Sequence, residues 1–226
     1  MMREDLLRLL SDLISRVERA HPVRVAIDGV DAAGKTTLGD ELVAPIEKLG
    51  RPVIRASVDG FHLPAGVRYR RGKLSAEGYY RDSFNHAALI EVLLEPLGPN
   101  GNRLYRRSGF DSRTDSPVDE PLEQAPDNAV LLFDGVFLLG DSLRPFWDYS
   151  IFVKASFETT VARAEARDGY LFGSADEVRK RYEQRYVPGQ RMYLSEVSPE
   201  RRASIVVIND DPSRPSVDTV SGVSRA

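Results

Sequence analysis

The sequence predicts an α/β protein built on a mainly parallel, five-stranded sheet, and three observations carry that prediction. Short apolar or β-branched runs at 23–27, 52–58, 129–134, 149–153 and 203–208 alternate with stretches of helical spacing. Two of these runs lead into a carboxylate followed by glycine, Asp59-Gly60 and Asp134-Gly135. The first run leads into Gly29-Val-Asp-Ala-Ala-Gly34-Lys35-Thr36, with a helical stretch directly after it. Strand, glycine-flanked loop and helix in that order match G-x-x-x-x-G-K-[ST], the phosphate-binding loop.

Composition bounds the rest. The chain has 226 residues, enough for one sizeable core, and reads as a single domain over 1–210 with a flexible tail over 211–226. Hydrophobic residues make up 42% and charged residues 29%, as in an ordinary globular enzyme. A formal net charge of −3 gives no electrostatic reason to expect a nucleic-acid or membrane partner. With no cysteine, disulfides, thiolate zinc sites and cysteine nucleophiles are excluded, and a cytoplasmic setting is expected. Glu4, Asp5 and Asp12 among the first leucines argue against a signal peptide, and the apolar run 130–139 is interrupted by Asp134 and Gly135.

In chain order, 2–19 places Leu6, Leu9, Leu10, Leu13, Ile14 and Val17 at helical spacing, an amphipathic helix that His21-Pro22 ends. In the loop that follows strand 23–27, Gly29 and Gly34 permit backbone angles that a β-carbon disfavours. Backbone N–H groups of Val30, Asp31, Ala32, Ala33, Gly34, Lys35, Thr36 and Thr37 can then turn toward an anion, helped by the positive end of helix 36–49. Lys35 would reach the β- and γ-phosphates of a nucleotide, and the Thr36 hydroxyl would ligate Mg²⁺.

Strand 52–58 delivers Asp59-Gly60-Phe61-His62 to the same edge of the sheet. Asp59 either accepts the proton of a substrate hydroxyl or helps to hold Mg²⁺; the competing reading is an Asp-Gly turn. Residues 64–84 read as a long basic, aromatic loop containing Arg68, Arg70, Arg71, Lys73 and Asp82. A helix is expected over 85–97, with Asn85 as its N-cap. Residues 103–118 suggest a short β-excursion in which Tyr105 and Arg113 either line a polar pocket or decorate a surface hairpin, and 117–126 reads as a connecting loop.

The run 129–134 fits a buried parallel strand that delivers Asp134, the candidate second Mg²⁺ ligand. After strand 149–153, helix 157–167 carries Arg163 and Arg167 at i, i+4, on one face, where they either stabilise a transferred phosphoryl group or lie exposed. Gly169-Tyr-Leu-Phe-Gly173 reads as a lid tip, Ser174 as the cap of a helix over 175–186, and Pro188-Gly189-Gln190 as its end. Strand 203–208 closes the sheet, and the chain beyond Asp210 is expected to fray.

Taken in order, the phosphate loop, Asp59-Gly60-Phe61-His62, the Asp82 loop, Tyr105, Leu-Phe-Asp134-Gly135 and the arginine-bearing helix resemble the uridine kinase / phosphoribulokinase / pantothenate kinase group over about residues 22–209, uridine kinases most of all. The resemblance implies a three-layer P-loop sandwich with a lid over 163–190, Mg-ATP as donor and a small-molecule alcohol as acceptor. It assigns Asp59 as catalytic base, Asp82 and Tyr105 as acceptor contacts, Arg163 and Arg167 as lid arginines and Asp134 as the acid ending the Walker B strand. His62 and Arg113 are further candidates for substrate contact. Three stretches depart from uridine kinases: Gly60-Phe61-His62 replaces Ser-Phe-Tyr, Arg81-Asp82-Ser83-Phe84 replaces the Asp-His-Pro phrase, and Arg167-Asp168-Gly169-Tyr170 replaces the Arg-Gly-Arg lid.

The expected activity is therefore ATP-dependent phosphoryl transfer to an alcohol, best the 5′-hydroxyl of uridine or cytidine. Pantothenate, a sugar or a sugar phosphate is the alternative acceptor. A regulatory NTPase switch is the rival from another class, and the absence of the guanine-reading Asn-Lys-x-Asp counts against it. The choice of ATP over GTP and any homo-oligomeric state are left open by the sequence.

Overall fold

The computed structural model describes residues 1–172 and 174–218, with the backbone alone described for 169–172. The chain opens with α1 (Arg3–Ser15), β1 (Val23–Gly29), α2 (Lys35–Lys48) and β2 (Val53–Ser57), followed by a 3₁₀ turn over Val58–Phe61. Three short helices come next, α3 (Ala65–Arg68), α4 (Ala76–Asp82) and α5 (His86–Leu89), the last running into a π-helical turn over Ile90–Leu94. Two ribbons follow, from β3 (Leu104–Tyr105), β4 (Phe110–Asp111), β5 (Ser116–Pro117) and β6 (Glu123–Gln124). The chain returns to the sheet with β7 (Val130–Gly135) and β8 (Tyr149–Lys154), then forms α6 (Phe157–Phe172) and α7 (Ala175–Arg181). A second π-turn over Tyr182–Tyr186 joins α7 to α8 (Val187–Val197), and α9 (Pro199–Arg202), β9 (Ile205–Ile208) and β10 (Ser216–Asp218) complete the described chain.

The main sheet runs β10-β9-β8-β1-β7-β2. All pairings are parallel except β10 against β9, so the sheet has six strands and not the five expected. The sixth comes from the stretch read as a frayed tail, because Ser216–Asp218 hydrogen-bonds the free edge of β9. Residues 219–226 of that expected tail lie outside the described residues.

Strand side chains alternate between two cores. Val25 and Ile27 face one side, with Leu38, Leu42 and Ile46 of α2 and the Leu6, Leu10, Ile14 stripe of α1, all fully buried. Ala26, Leu131 and Phe133 face the other side and meet Leu89, Leu93 and Tyr193. Two helical layers enclosing one sheet make the three-layer sandwich. Because the strands are parallel, β1, β2 and β7 discharge their loops at one edge, and Ser57 and Ile27 both pair with Asp134 there.

Three local expectations are corrected. The 64–84 stretch is not an open loop: Ser75 accepts from the Gly78 N–H at 3.0 Å and so caps α4, and Arg185 donates to the Lys73 and Ser75 carbonyls at 3.2 and 3.1 Å. Pro188-Gly189-Gln190 does not end a helix. Pro188 stands in the first turn of α8, just after the π-turn, where its missing N–H is tolerated. The helical path therefore continues from Ala175 to Val197. Part of the expected 117–126 connection is also strand, with Glu123–Gln124 pairing to Leu104–Tyr105.

Candidate active site

The phosphate loop leaves the central strand β1 and turns directly into α2. Gly29 has φ +153°, and a β-carbon there would collide with the Val153 carbonyl of β8; Gly34 has φ +95° and packs against the Asn209 amide. Asn209 donates to the Ala33 carbonyl at 2.7 Å, which fixes the loop from the side of β9. Lys35 is 8% exposed, and its ammonium folds back onto the Val30 carbonyl at 2.7 Å. A buried ammonium against a neutral acceptor, at a helix N-terminus, is a site prepared for an anion. Asp31, Ala32, Gly34, Lys35, Thr36 and Thr37 line a cleft of about 480 Å³, while Gly29, Val30 and Ala33 are buried and do not line it.

Thr36 donates its hydroxyl to Asp134 Oδ2 at 2.7 Å, and Arg55 from β2 donates to Asp134 Oδ1 at 2.9 Å. The strand expected to bring an acid to the loop does so. A hydroxyl and a carboxylate in contact form the hard oxygen pair that Mg²⁺ takes from a protein, its remaining ligands being phosphate oxygens and water. Among the described residues no cluster of three or more His, Cys, Asp or Glu is arranged to hold a metal without such help.

Across the cleft, the 3₁₀ turn after β2 presents Asp59 and is followed by His62, and both line the cavity. Ser57 caps the turn by accepting from the Asp59 N–H at 3.3 Å, and His62 Nδ1 lies 2.9 Å from the Asp59 carbonyl. Asp59 is open to the cleft but ringed by protein. Desolvation raises its pKa, Asp31 and Asp134 add to the rise, and His62 and Lys35 oppose it. A carboxyl held above its ordinary range beside a phosphate site has the character of a general base.

The two arginines of α6 separate in role. Arg167 lines the cleft, held by Asp168 through bonds of 2.6 and 2.8 Å. Arg163 lies one turn back and does not line the cleft: it donates to the Asn209 and Asp210 carbonyls at 2.8 Å each and approaches Ala32 O at 3.4 Å. It therefore braces the loop from outside, where sequence spacing had paired it with Arg167. The expected lid tip at 169–173 lies outside the residues whose side chains are described; Ser174 caps α7 as expected, accepting from Glu177 N–H at 3.2 Å.

Three expected acceptor contacts do not line the cleft. Asp82 is buried under Arg70 and Arg71, which donate to it at 2.6 and 2.7 Å and hold its pKa low. Tyr105 is buried in the β3–β6 ribbon, 3.2 Å from Glu123 and 3.3 Å from Arg107. The Arg113 side chain is 91% exposed beside Asp111. Sequence order put these residues near the site; in the structure their polar ends meet partners in the ribbon and in local ion pairs.

The sequence reading missed a set of polar groups on the opposite wall. Tyr79 and Gln190 each donate to Asp31 Oδ2 at 2.6 Å, and Tyr182 and Tyr186 continue that wall. Behind it, Tyr193 donates to the fully buried Asp28, whose pKa burial raises. Gln190 and Tyr193 lie at i, i+3 on α8, a signal hidden by reading Pro188-Gly189 as a break.

No protein-family model matches the chain. It is 25% identical over 214 residues to a uridine kinase of Leuconostoc citreum (strain KM20), covering 91% of this chain and 96% of that protein. It is 29% identical over 149 residues to uridine-cytidine kinase B of Dictyostelium discoideum, covering 66% of this chain and 59% of that protein. A solved structure described as a possible uridine kinase from Bacillus stearothermophilus matches with a TM-score of 0.71 at 21% identity, over 90% of this chain and 97% of that one. The fold is that of the P-loop kinases, and the resemblance to the uridine kinase group stands. Relatives and fold together support a phosphotransferase of the kinase class acting on a small molecule.

Proposed function

We propose that the protein is a Mg-ATP-dependent kinase that transfers the γ-phosphoryl group to a small-molecule alcohol, with the 5′-hydroxyl of uridine or cytidine as the best acceptor. The observation that carries the proposal is a single cleft with Lys35, Thr36 and Asp134 on one wall and Asp59 on another. Phosphoryl transfer asks chiefly for positioning and charge neutralisation. Loop N–H groups and Lys35 bind and orient the polyphosphate. Thr36 and Asp134 would hold Mg²⁺, which when bound neutralises charge on the phosphate oxygens. Asp59 takes the proton of the acceptor hydroxyl as that oxygen attacks, and Arg167 sits at the cleft to meet the charge of the transferring group.

One observation favours a second acceptor class. Asp82 and Tyr105, the positions matching nucleoside contacts, do not line the cleft. Another small alcohol, such as a sugar, is therefore the alternative within the same mechanism. The test is ADP release from Mg-ATP against uridine, cytidine, pantothenate, free sugars and sugar phosphates, with a no-acceptor control. Strong stimulation by one acceptor is expected. A rate indifferent to all of them would return the regulatory NTPase reading.

A further inference from the structure

The phosphate loop contains an acid, and its placement bears on the acceptor. A carboxylate aimed at a bound polyphosphate would repel it strongly at close range. Asp31 avoids this because its side chain is held by α4 and α8: Tyr79 and Gln190 both donate to Oδ2 at 2.6 Å. Oδ1 has no donor among the described residues, and Asp31 lines the same cleft as Asp59. Around it stands an aromatic wall. The Tyr186 ring meets Tyr79 edge-on at 4.9 Å and Tyr182 at 5.1 Å. Of the lysine and arginine side chains that line the cleft, Lys35 rests on the Val30 carbonyl within the phosphate loop and Arg167 is paired with Asp168.

We propose that Asp31 grips the phosphoryl acceptor, taking hydrogen bonds from its hydroxyls on Oδ1, and that the acceptor is a neutral polyol laid against the tyrosine wall. The inference rests on the kinase reading above and narrows it. Two carboxylates, Asp31 and Asp59, face an acceptor placed between them, so anionic acceptors such as sugar phosphates and pantothenate are disfavoured while nucleosides and free sugars are accepted. Tyr79 and Gln190 act as positioning residues, because they hold the carboxylate toward the acceptor.

The experiment compares wild type with Asp31→Asn on the acceptor panel, and measures Mg-ADP affinity of both by titration with a fluorescent analogue. With the neutral acceptor that stimulates wild type most, Asp31→Asn is expected to raise KM about tenfold or more, since a hydrogen bond to a charged group is lost. Mg-ADP affinity should change less than about threefold, because the loop offers the nucleotide its backbone N–H groups. Gln190→Leu, which loosens Asp31 without removing it, should raise the same KM by a smaller factor, roughly threefold. Equal losses of acceptor and Mg-ADP affinity would mean that Asp31 serves only the shape of the loop. An unchanged KM, or a preference of wild type for a sugar phosphate or pantothenate, would overturn the proposal while leaving the kinase reading intact. No stimulation of wild type by any acceptor would remove both.

Discussion

Tyr193 on α8 donates its hydroxyl to Asp28 at the end of β1, and both residues are buried. The bond ties α8, which begins within the expected lid region, to the strand that carries the phosphate loop. The same hydroxyl accepts the Leu139 N–H at 3.0 Å. Tyr193→Phe therefore leaves the Leu139 N–H without its partner and Asp28 with the Gly29 N–H at 2.8 Å but no hydroxyl donor, and should cost about 1–3 kcal/mol in urea unfolding. Asp28→Asn keeps an acceptor for Tyr193 and should cost less.

The pH dependence of stability separates these variants further. Burial raises the folded-state pKa of Asp28, so the protonated form favours folding. That contribution is complete below the unfolded value of about 4 and is lost as pH rises through the raised pKa. In Asp28→Asn this part of the slope of unfolding free energy against pH should vanish.

The Thr36–Asp134 contact predicts a metal phenotype. Asp134→Asn leaves Arg55 facing a neutral amide and weakens the oxygen pair. The Mg²⁺ concentration for half-maximal activity should rise by about 10- to 100-fold, with a fall in kcat. Thr36→Ala should move the same midpoint in the same direction. A midpoint unmoved in both variants would remove the metal role.

Asp59 works as a base only when ionised, and its pKa is raised, with Asp31, Asp134, Lys35 and His62 all acting on it. Activity should therefore climb with pH through a limb above the ordinary carboxylate value near 4. Asp59→Asn should lower kcat by about 100-fold or more and abolish that limb. A wild-type kcat in Asp59→Asn would show that the proton leaves by another route.

Arg163 and Arg167 should give different kinetic signatures despite sharing one helix face. Arg163→Ala frees the Ala32 carbonyl of the phosphate loop and the Asn209 and Asp210 carbonyls after β9, so nucleotide KM should rise and stability fall by about 1–2 kcal/mol. Arg167→Ala should act mainly on kcat, by about 10- to 1,000-fold, if its guanidinium meets the transferring phosphoryl group. Equal effects of both on nucleotide KM would place Arg167 with the brace as well.

Much of this architecture was legible in the chain. The phosphate loop, and the strands carrying Asp59 and Asp134 to its edge, could be read because strand, loop and helix follow one another in sequence and parallel strands must discharge at one end. Asn85 and Ser174 were readable as caps because capping is local. What stayed hidden depends on contacts between distant segments. Asp82 looked like an acceptor contact until Arg70 and Arg71 covered it, and Tyr105 until its ribbon paired with Glu123. Asp31 read as one backbone link in the cradle, since nothing local announces that Gln190, 159 residues away, will bond to it. Pro188 misled because proline breaks an α-helix interior but is admitted just after a π-turn.

That π-turn over Tyr182–Tyr186 also determines which kind of genetic change this region tolerates. A π-turn is an α-helix holding one extra residue, and each residue turns an α-helix by about 100°. Val178, upstream, packs against Ala164 of α6, while Gln190 and Tyr193, downstream, are bonded to Asp31 and Asp28. Deleting one residue, such as the exposed Gln184, would restore ordinary helical winding and swing one of these two groups away from its partners. Substitutions at that surface position should be silent, and a single-codon deletion there should not.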